Sequence, residues 1–426
     1  MSQPGQSESV GVLKLTLHSQ LVGYLAGFQG GKNVLTFADE YKANGQRPTF
    51  SLTTHPAFPR ADKLLAQSWV TNQRLHPTLS NLLPEGALRE LIAQSLKVHP
   101  DNEFEILSYL SEDLPGAIVA TAMNPDDIPE HLLNDNGRLG KAIKLDTSAS
   151  SHKFSLAGVQ MKFSMKERDG RFNFTEKKGE LGDWIIKTPS TNHKDVPLNE
   201  YTAMTLAAIA GVEVPEIKLI EVTKLNNLPQ IKLPDEQYAY GIKRFDRAPN
   251  SRIHMEDFAQ VLVKYPHEKY GSANYEQIGR VLYQYSGDGL ADAQQFARRL
   301  LVNILLANGD AHLKNWSLSY SDQVTARLSM SYDIVTTSVY IENEQEFALK
   351  LGNNKEWYKV TYAHFEAWAT KADVPWRAIK PHLEDVMDKA RVQWPQALIE
   401  LPMHHEHKEK LKLHWQRLHD DFRIIK

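Results

Sequence analysis

The 426-residue chain contains no cysteine. Disulfides, thiolate metal sites and thiol nucleophiles are therefore excluded, and the composition fits a reducing interior. Long apolar runs are also missing. A prominent one, Leu300 to Ala307, is broken by Asn303 and is far too short to cross a bilayer. The opening residues MSQPGQSESV are polar and lack an apolar segment, so we expect no secretory signal there, no membrane association and a cytoplasmic location. Charge of one sign is scarce: 49 Lys and Arg against 52 Asp and Glu leave a net −3. No strongly basic field exists to hold nucleic acid by its phosphates, and any DNA role is expected to run through a partner. What remains is ordinary globular material, 42% hydrophobic and 24% charged. At this length one core does not suffice, which predicts two lobes or domains.

Along the chain, residues 9–60 read as strands and turns, with PTFSLTT as a short β-rich run. From about 63 to 110 the pattern is helical: Leu64, Leu65, Trp69 and Val70 recur at turn spacing, and ALRELIAQSL and FEILSYL follow. NLLPEG, Asn81 to Gly86, punctuates these segments. Residues 124–152 are polar and irregular and read as a linker or loop region. A second β-rich section follows, built from KFSLAG, QMKFSM, RFNFT and DWIIKT. A helix is predicted over about Leu198 to Ala210, stopped by Gly211 and Pro215. KLIEVTKL and YAYGIKRF are further strands. Beyond Asp246 the chain reads as mostly helical, with one short β-like interruption near 316–334.

The sharpest chemical feature is NGDAHLKNW, Asn308 to Trp316, directly after a helix that carries Phe296, Leu300, Ile304 and Ala307 near one face. Asp310 and Asn315 are five residues apart, and Asp333 in SYDIV follows eighteen residues later. Such a set suits phosphoryl transfer. One carboxylate orients the attacking hydroxyl, while an amide and a second carboxylate hold Mg²⁺ against nucleotide phosphates. Alone, an Asp and an Asn at this spacing are more often turn and cap residues. Lys187, inside the apolar strand DWIIKT, must be solvated, paired or phosphate-bound. Glu200, thirteen residues on, is placed for a strand-lysine to helix-glutamate ion pair. A lysine at a strand edge is an equally good reading of that residue by itself. In FSLAGVQMK, Ala157 and Gly158 allow close backbone approach to phosphates, although a plain hairpin turn is favoured in isolation. The order decides: small-residue turn, strand lysine, helix glutamate, linking strand, helical half, D-x-x-x-x-N, then Asp is the chain order of a bilobal kinase.

At SNLLPEG, EDLPGAIV, FSLAGVQMKFSM, IIKTPS, NEYTAMTLAAIAGVEVPE, IKRFDR, MEDFAQ, NGDAHLKNWSL and SYDIV, the sequence resembles the HipA-type serine/threonine kinase toxins of bacterial toxin–antitoxin modules. The resemblance implies an α+β, bilobal protein-kinase-like fold with an extra β-rich N-terminal subdomain and a mostly helical C-lobe. The units it implies are 1–125, an N-terminal toxin subdomain; 126–247, a nucleotide-binding lobe with a mobile Ser155 loop; and 248–426, the helical lobe. It implies that Asp310 is catalytic, that Asn315 and Asp333 bind Mg²⁺, and that Glu200 forms the structural ion pair. ATP would be met by Ala157, Gly158, Val159, Gln160, Lys162, Lys187, Lys243, Phe245, His312, Lys314 and Tyr332. By the same resemblance Lys243 to Phe245 would serve as the hinge at the adenine, Lys243 standing where the family pattern has an acid, and His312 and Lys314 would line the phosphate side.

Ser155 matches the serine that such toxins autophosphorylate. A phosphate there adds about two negative charges, and its repulsion from ATP's own phosphates is expected to eject the loop and weaken nucleotide binding. Ser148, Ser150 and Ser151 are close competitors for the modification. Also implied are a dimeric helix-turn-helix, HipB-like antitoxin partner, operator DNA contacted mainly through that antitoxin, and an aminoacyl-tRNA synthetase as protein substrate. The rival readings are a small-molecule phosphotransferase of the same fold and a non-catalytic corepressor partner of an antitoxin. MHHEHK, Met403 to Lys408, places His404 and His407 on one helix face, but a solvated helix start is the stronger reading there.

Overall fold

The computed structural model describes residues 7–28, 30–111, 114–129, 132, 143–146, 160–174, 181–228, 232–249 and 251–425. The chain opens with strands β1 (Ser7–Val10), β2 (Val12–Leu17), β3 (Gln20–Gly27) and β4 (Lys32–Phe37), then helices α1 (Asp39–Ala43) and α2 (Ala61–Ala66). Strand β5 (Trp69–Asn72), helices α3 (Pro77–Ser80), α4 (Gly86–Leu96) and α5 (Glu103–Leu110) and strand β6 (Ile118–Ala122) complete this region. Its sheet runs β5-β4-β3-β2-β6, every pair antiparallel. Period-two alternation turns Leu13, Leu15 and Leu17 of β2 into one core with Phe37, Phe50 and Trp69. Val12, Ala26 and Val34 contribute to a second, smaller cluster.

Two local expectations fail here. Trp69 and Val70 are strand, not helix, because pairing of β5 with Lys32–Leu35 and the Trp69 ring 5.0 Å from Phe37 outweigh a local helical period. PTFSLTT is not a strand. Phe50 is buried in the core, Leu52–Thr54 make one 3-10 turn, and the Leu52 amide donates to the Glu256 carboxylate at 2.7 Å instead of joining a sheet.

Strand β7 (Ile143–Asp146) pairs antiparallel with β1. The second sheet comprises β8 (Lys162–Arg168), β9 (Arg171–Phe174), β10 (Trp184–Lys187), β11 (Ile217–Glu221), β12 (Leu225–Asn226) and β13 (Tyr238–Lys243) in the order β11-β13-β10-β8-β9-β12. QMKFSM, RFNFT and DWIIKT therefore supply strands as expected, whereas KFSLAG lies outside the described residues. Helix α6 (Val196–Ile209) packs on β11 and β13. It ends as expected at Gly211, whose φ of +83° is the left-handed conformation glycine adopts without strain.

Beyond Asp246 the chain has more strand than the sequence pattern indicated. A short hairpin, β14 (Arg247–Ala248) with β15 (Ser251–Arg252), precedes a sheet of β16 (His254–Asp257), β17 (Ser317–Tyr320) and β18 (Arg327–Leu328); β19 (Glu346–Leu351) and β20 (Asn354–Glu356) form another hairpin. These strands are short and separated by helices, so no local alternation announces them. The helices are α7 (Phe258–Val261), α8 (Tyr275–Tyr285), α9 (Gly289–Leu305), α10 (Tyr362–Lys371), α11 (Trp376–Glu400) and α12 (His405–Arg417). Helix α9 is the hub. Phe296, Leu300 and Ile304 have no exposed surface, and α8 and α11 pack against it. Among the described residues, no helix is long and apolar enough to cross a membrane.

Candidate active site

Strand β10 runs through the second sheet and ends at Lys187, whose register partners are Lys162 on β8 and Tyr240 on β13. Two lysines paired across a sheet repel unless an anion intervenes. The anion is Asp333. Its Oδ2 accepts from Lys162 Nζ at 3.1 Å, and its Oδ1 accepts from Lys187 Nζ. Lys187, 4% exposed, also donates to Glu200 Oε1 on α6 at 2.5 Å. Burial alone would lower the Lys187 pKa, but the Asp333 and Glu200 carboxylates outweigh it and hold the ammonium well above its ordinary range. Burial would likewise raise Asp333, yet Lys162 and Lys187 bring it far below the usual carboxylate value. Glu200 is pushed up by burial, with Lys187 opposing.

Asp333 has φ +55°, the left-handed region that costs a non-glycine residue on the order of 1–3 kcal/mol unless its surroundings enforce it. The enforcement is visible. Asn199 of α6 donates to the Thr336 carbonyl and accepts from the Thr336 amide, both at 3.0 Å. On the other side, Asn308 Nδ2 donates to the Asp333 carbonyl at 3.4 Å, while Asn308 Oδ1 accepts from the Asp310 amide at 3.0 Å. One asparagine side chain thus clamps the two carboxylate-bearing segments together.

Asp310 follows α9 through a turn in which Ala307 has φ +50°. Its side chain is 51% exposed, and Tyr270 donates to Oδ1 at 2.6 Å. Asn315 closes the segment by donating to the Asp310 carbonyl at 2.8 Å, which leaves its Oδ1 available as a ligand oxygen. His312 is buried with Nε2 3.9 Å from Asp310 Oδ1, and burial lowers its pKa. A cavity of about 550 Å³ opens beside Asp310, lined by Tyr270, Gly309 and residues 343–348 among others.

The other sequence-derived candidates divide by location. Phe245 lies against the Tyr332 ring at 5.7 Å, and Tyr332 donates to the Lys314 carbonyl at 2.8 Å. Lys243 follows the sheet outward, where its ammonium meets Glu216 at 3.2 Å. Lys314 is turned away from Asp333: its ammonium meets the Asn81 carbonyl at 2.9 Å, Asn81 Oδ1 and Asp257 Oδ2 at 3.0 Å, and Glu85 Oε1 at 3.4 Å. Ser155, Ala157, Gly158 and Val159 lie outside the described residues, as do Ser148, Ser150 and Ser151. Sequence reasoning missed Asn199, Tyr270 and Asn308 as contributors. It also missed the buried Arg244–Asp246–Arg247 cluster, in which Asp246 accepts from the Gly116 amide at 2.8 Å and its pKa is lowered to about 2 by the two arginines against burial. Only the charge density of IKRFDR hinted at that cluster.

The polar atoms left without partners bear on what the site accepts. Gln160 Nε2, Glu200 Oε2, Tyr240 Oη and His312 Nδ1 are buried and make no hydrogen bond. Unmet polar groups cost free energy unless a ligand satisfies them. Donor groups, lysines and the Asp333 carboxylate together fit a nucleotide polyphosphate with its metal. Among the described residues no three His, Cys, Asp or Glu side chains gather to hold an ion. His404 caps α12 by accepting from the Glu406 amide at 3.3 Å, and its ring lies 5.4 Å from that of His407.

Comparison with known proteins gives a concordant result. Residues 154–394 match the family model of the HipA-like C-terminal domain, and residues 13–121 match that of the HipA N-terminal domain. The putative kinase Y4dM of Sinorhizobium fredii is 36% identical over 92% of this chain and 94% of its own length. The serine/threonine-protein kinase toxin HipA of Shewanella oneidensis is 24% identical over 74% of this chain and 73% of its own. A solved complex of the Shewanella oneidensis toxin–antitoxin proteins HipA and HipB with operator DNA superposes at a TM-score of 0.70, with 20% identity, covering 97% of this chain and all 100% of that one.

Proposed function

The chain belongs to the HipA family of serine/threonine kinase toxins and has its bilobal kinase-like fold, and from that premise we propose that it transfers the γ-phosphoryl group of ATP to serine or threonine hydroxyls of proteins. The supporting observation is the buried ammonium of Lys187 shared between Glu200 and Asp333, clamped by Asn308 to the segment carrying Asp310. Asp310, half-exposed, faces the acceptor. The acceptor oxygen bonds to the γ-phosphorus, the bond from that phosphorus to the β,γ-bridging oxygen breaks, the hydroxyl proton passes to Asp310, and ADP leaves. Asp333 and Asn315 Oδ1 would hold Mg²⁺, which neutralises phosphate charge when bound. Lys187 and Lys162 would exchange part of their pairing with Asp333 for phosphate oxygens. Gln160, His312 and the hinge at Lys243 to Phe245 complete the nucleotide contacts, with Ala157, Gly158 and Val159 approaching the phosphates by their backbone.

The functional units are 1–125, 126–247 and 248–426. Ser155 is the autophosphorylation site, and its phosphate lowers ATP affinity. The cellular role is growth arrest in the cytoplasm through phosphorylation of an aminoacyl-tRNA synthetase. A HipB-like helix-turn-helix dimer restrains the toxin and carries it to operator DNA; the solved Shewanella oneidensis structure is a complex of HipA, HipB and operator DNA. Incubation with γ-labelled ATP and Mg²⁺, alone and then with lysate, followed by phosphopeptide mapping, tests this directly. Label should appear on Ser155 and on a synthetase, and Asp310→Asn should reduce it by about 10²–10⁴-fold. Label confined to a small molecule, or an Asp310→Asn protein as active as wild type, would contradict the proposal.

A further inference from the structure

NLLPEG, singled out in the sequence, lies some 225 residues from Asp310 in the chain but beside it in space. Pro84 and Gly86 shape the bend, and Gly86 adopts φ +58°. Glu85 occupies the N-cap position of α4 but makes no side-chain cap. Its carboxylate turns away from its own helix toward the C-lobe. There Oε2 accepts from Lys269 at 2.8 Å, and Oε1 lies 3.4 Å from Lys314. Each lysine belongs to a segment that holds Asp310. Lys269 precedes Tyr270, whose hydroxyl donates to Asp310 Oδ1, and the Lys269 carbonyl accepts the Leu313 amide at 3.3 Å. Lys314 precedes Asn315, whose amide donates to the Asp310 carbonyl.

We infer that Glu85 is a positioning residue for phosphoryl transfer, an N-terminal carboxylate that ties together the two segments bracketing Asp310. Asn81 shares the task. Its carbonyl and Oδ1 both accept from Lys314, and its Nδ2 donates to the Lys264 carbonyl at 2.8 Å. Glu85 is 34% exposed and its two lysines 19% and 14%, and in Glu85→Gln Lys314 keeps Asn81 and Asp257, so the expected effect is geometric rather than a loss of fold. Displacement of a reacting group by about 1 Å costs up to about 10²-fold in rate. The N-terminal unit thereby becomes part of the catalytic apparatus.

The inference rests on the kinase reading, and the test separates the two. Wild type, Glu85→Gln, Glu85→Asp and the pair Glu85→Gln/Lys314→Met are assayed as full chains for label transfer, with kcat and KM for ATP determined apart and melting recorded. Glu85→Gln should lower kcat about tenfold or more while KM for ATP and the melting temperature stay near wild type. Glu85→Asp should restore part of the rate, and Lys314→Met should lower it further on top of Glu85→Gln, since it also removes the Asn81 and Asp257 contacts. A wild-type rate in Glu85→Gln, or parallel changes in kcat, KM and melting, would overturn the positioning role alone. Absence of transfer in wild type would overturn it together with the kinase reading.

Discussion

The Asp310 and Asp333 segments are joined by one asparagine side chain yet differ in almost every physical respect. Asp310 is half-exposed, follows the cavity-lining Gly309, and is paired with the hydroxyl of Tyr270, which lines the same cavity. Asp333 lies in strained left-handed backbone between two ammonium groups that keep it ionised. A proton acceptor must be open to its substrate, whereas a metal ligand must remain charged and fixed. The contrast in environment supports the two different roles proposed for them, since the side chains are identical.

The largest way to break this contrast is at Lys187. Lys187→Met leaves Glu200 and Asp333 buried together without their shared cation, and should cost about 3–5 kcal/mol of stability, read from urea unfolding. Glu256 sharpens the comparison, being a buried carboxylate with no ammonium beside it. Burial, opposed by donors from Tyr320 and the Leu52 amide, pushes its pKa up to about 7. The folded state therefore keeps the proton that the unfolded chain releases near 4.5. Its contribution to stability is full below about 4.5, falls as pH rises, and levels off above about 7, a loss of about 3 kcal/mol. Glu256→Gln should remove that slope. His254, lowered to about 4 chiefly by burial, titrates in the opposite sense in both proteins, so the difference between the two unfolding curves isolates Glu256. The smallest effect belongs to Tyr270→Phe, which deletes only the hydroxyl on Asp310. Transfer should fall about fivefold, the equivalent of about 1 kcal/mol of orientation, with melting unchanged.

Much of this site was legible because its residues are local signals. A charged strand residue, a carboxylate at the next helix and polar residues leaving a buried helix stand out against apolar surroundings, as Lys187, Glu200 and Asp310 do. Family motifs supplied the rest of the order. What was not legible depends on register and distant contact. Nothing near Lys162 states that it faces Lys187, because that follows from the pairing of β8 with β10. Tyr270, Glu85 and Asn199 lie in ordinary-looking segments whose partners are remote in sequence. Trp69 had a helical period locally and became a strand because an edge and an aromatic core awaited it. Lys314 read as a phosphate-side lysine, yet its ammonium is engaged by Asn81, Asp257 and Glu85, a set assembled only by folding.

Calorimetric titration of ATP into the Asp310→Asn and Asp333→Asn proteins, with and without Mg²⁺, tests the division of labour most directly. Asp310→Asn should bind Mg·ATP about as tightly as wild type, while Asp333→Asn should lose at least about tenfold in affinity, and only when Mg²⁺ is present. Equal Mg²⁺-dependent affinity in the two variants would contradict the account.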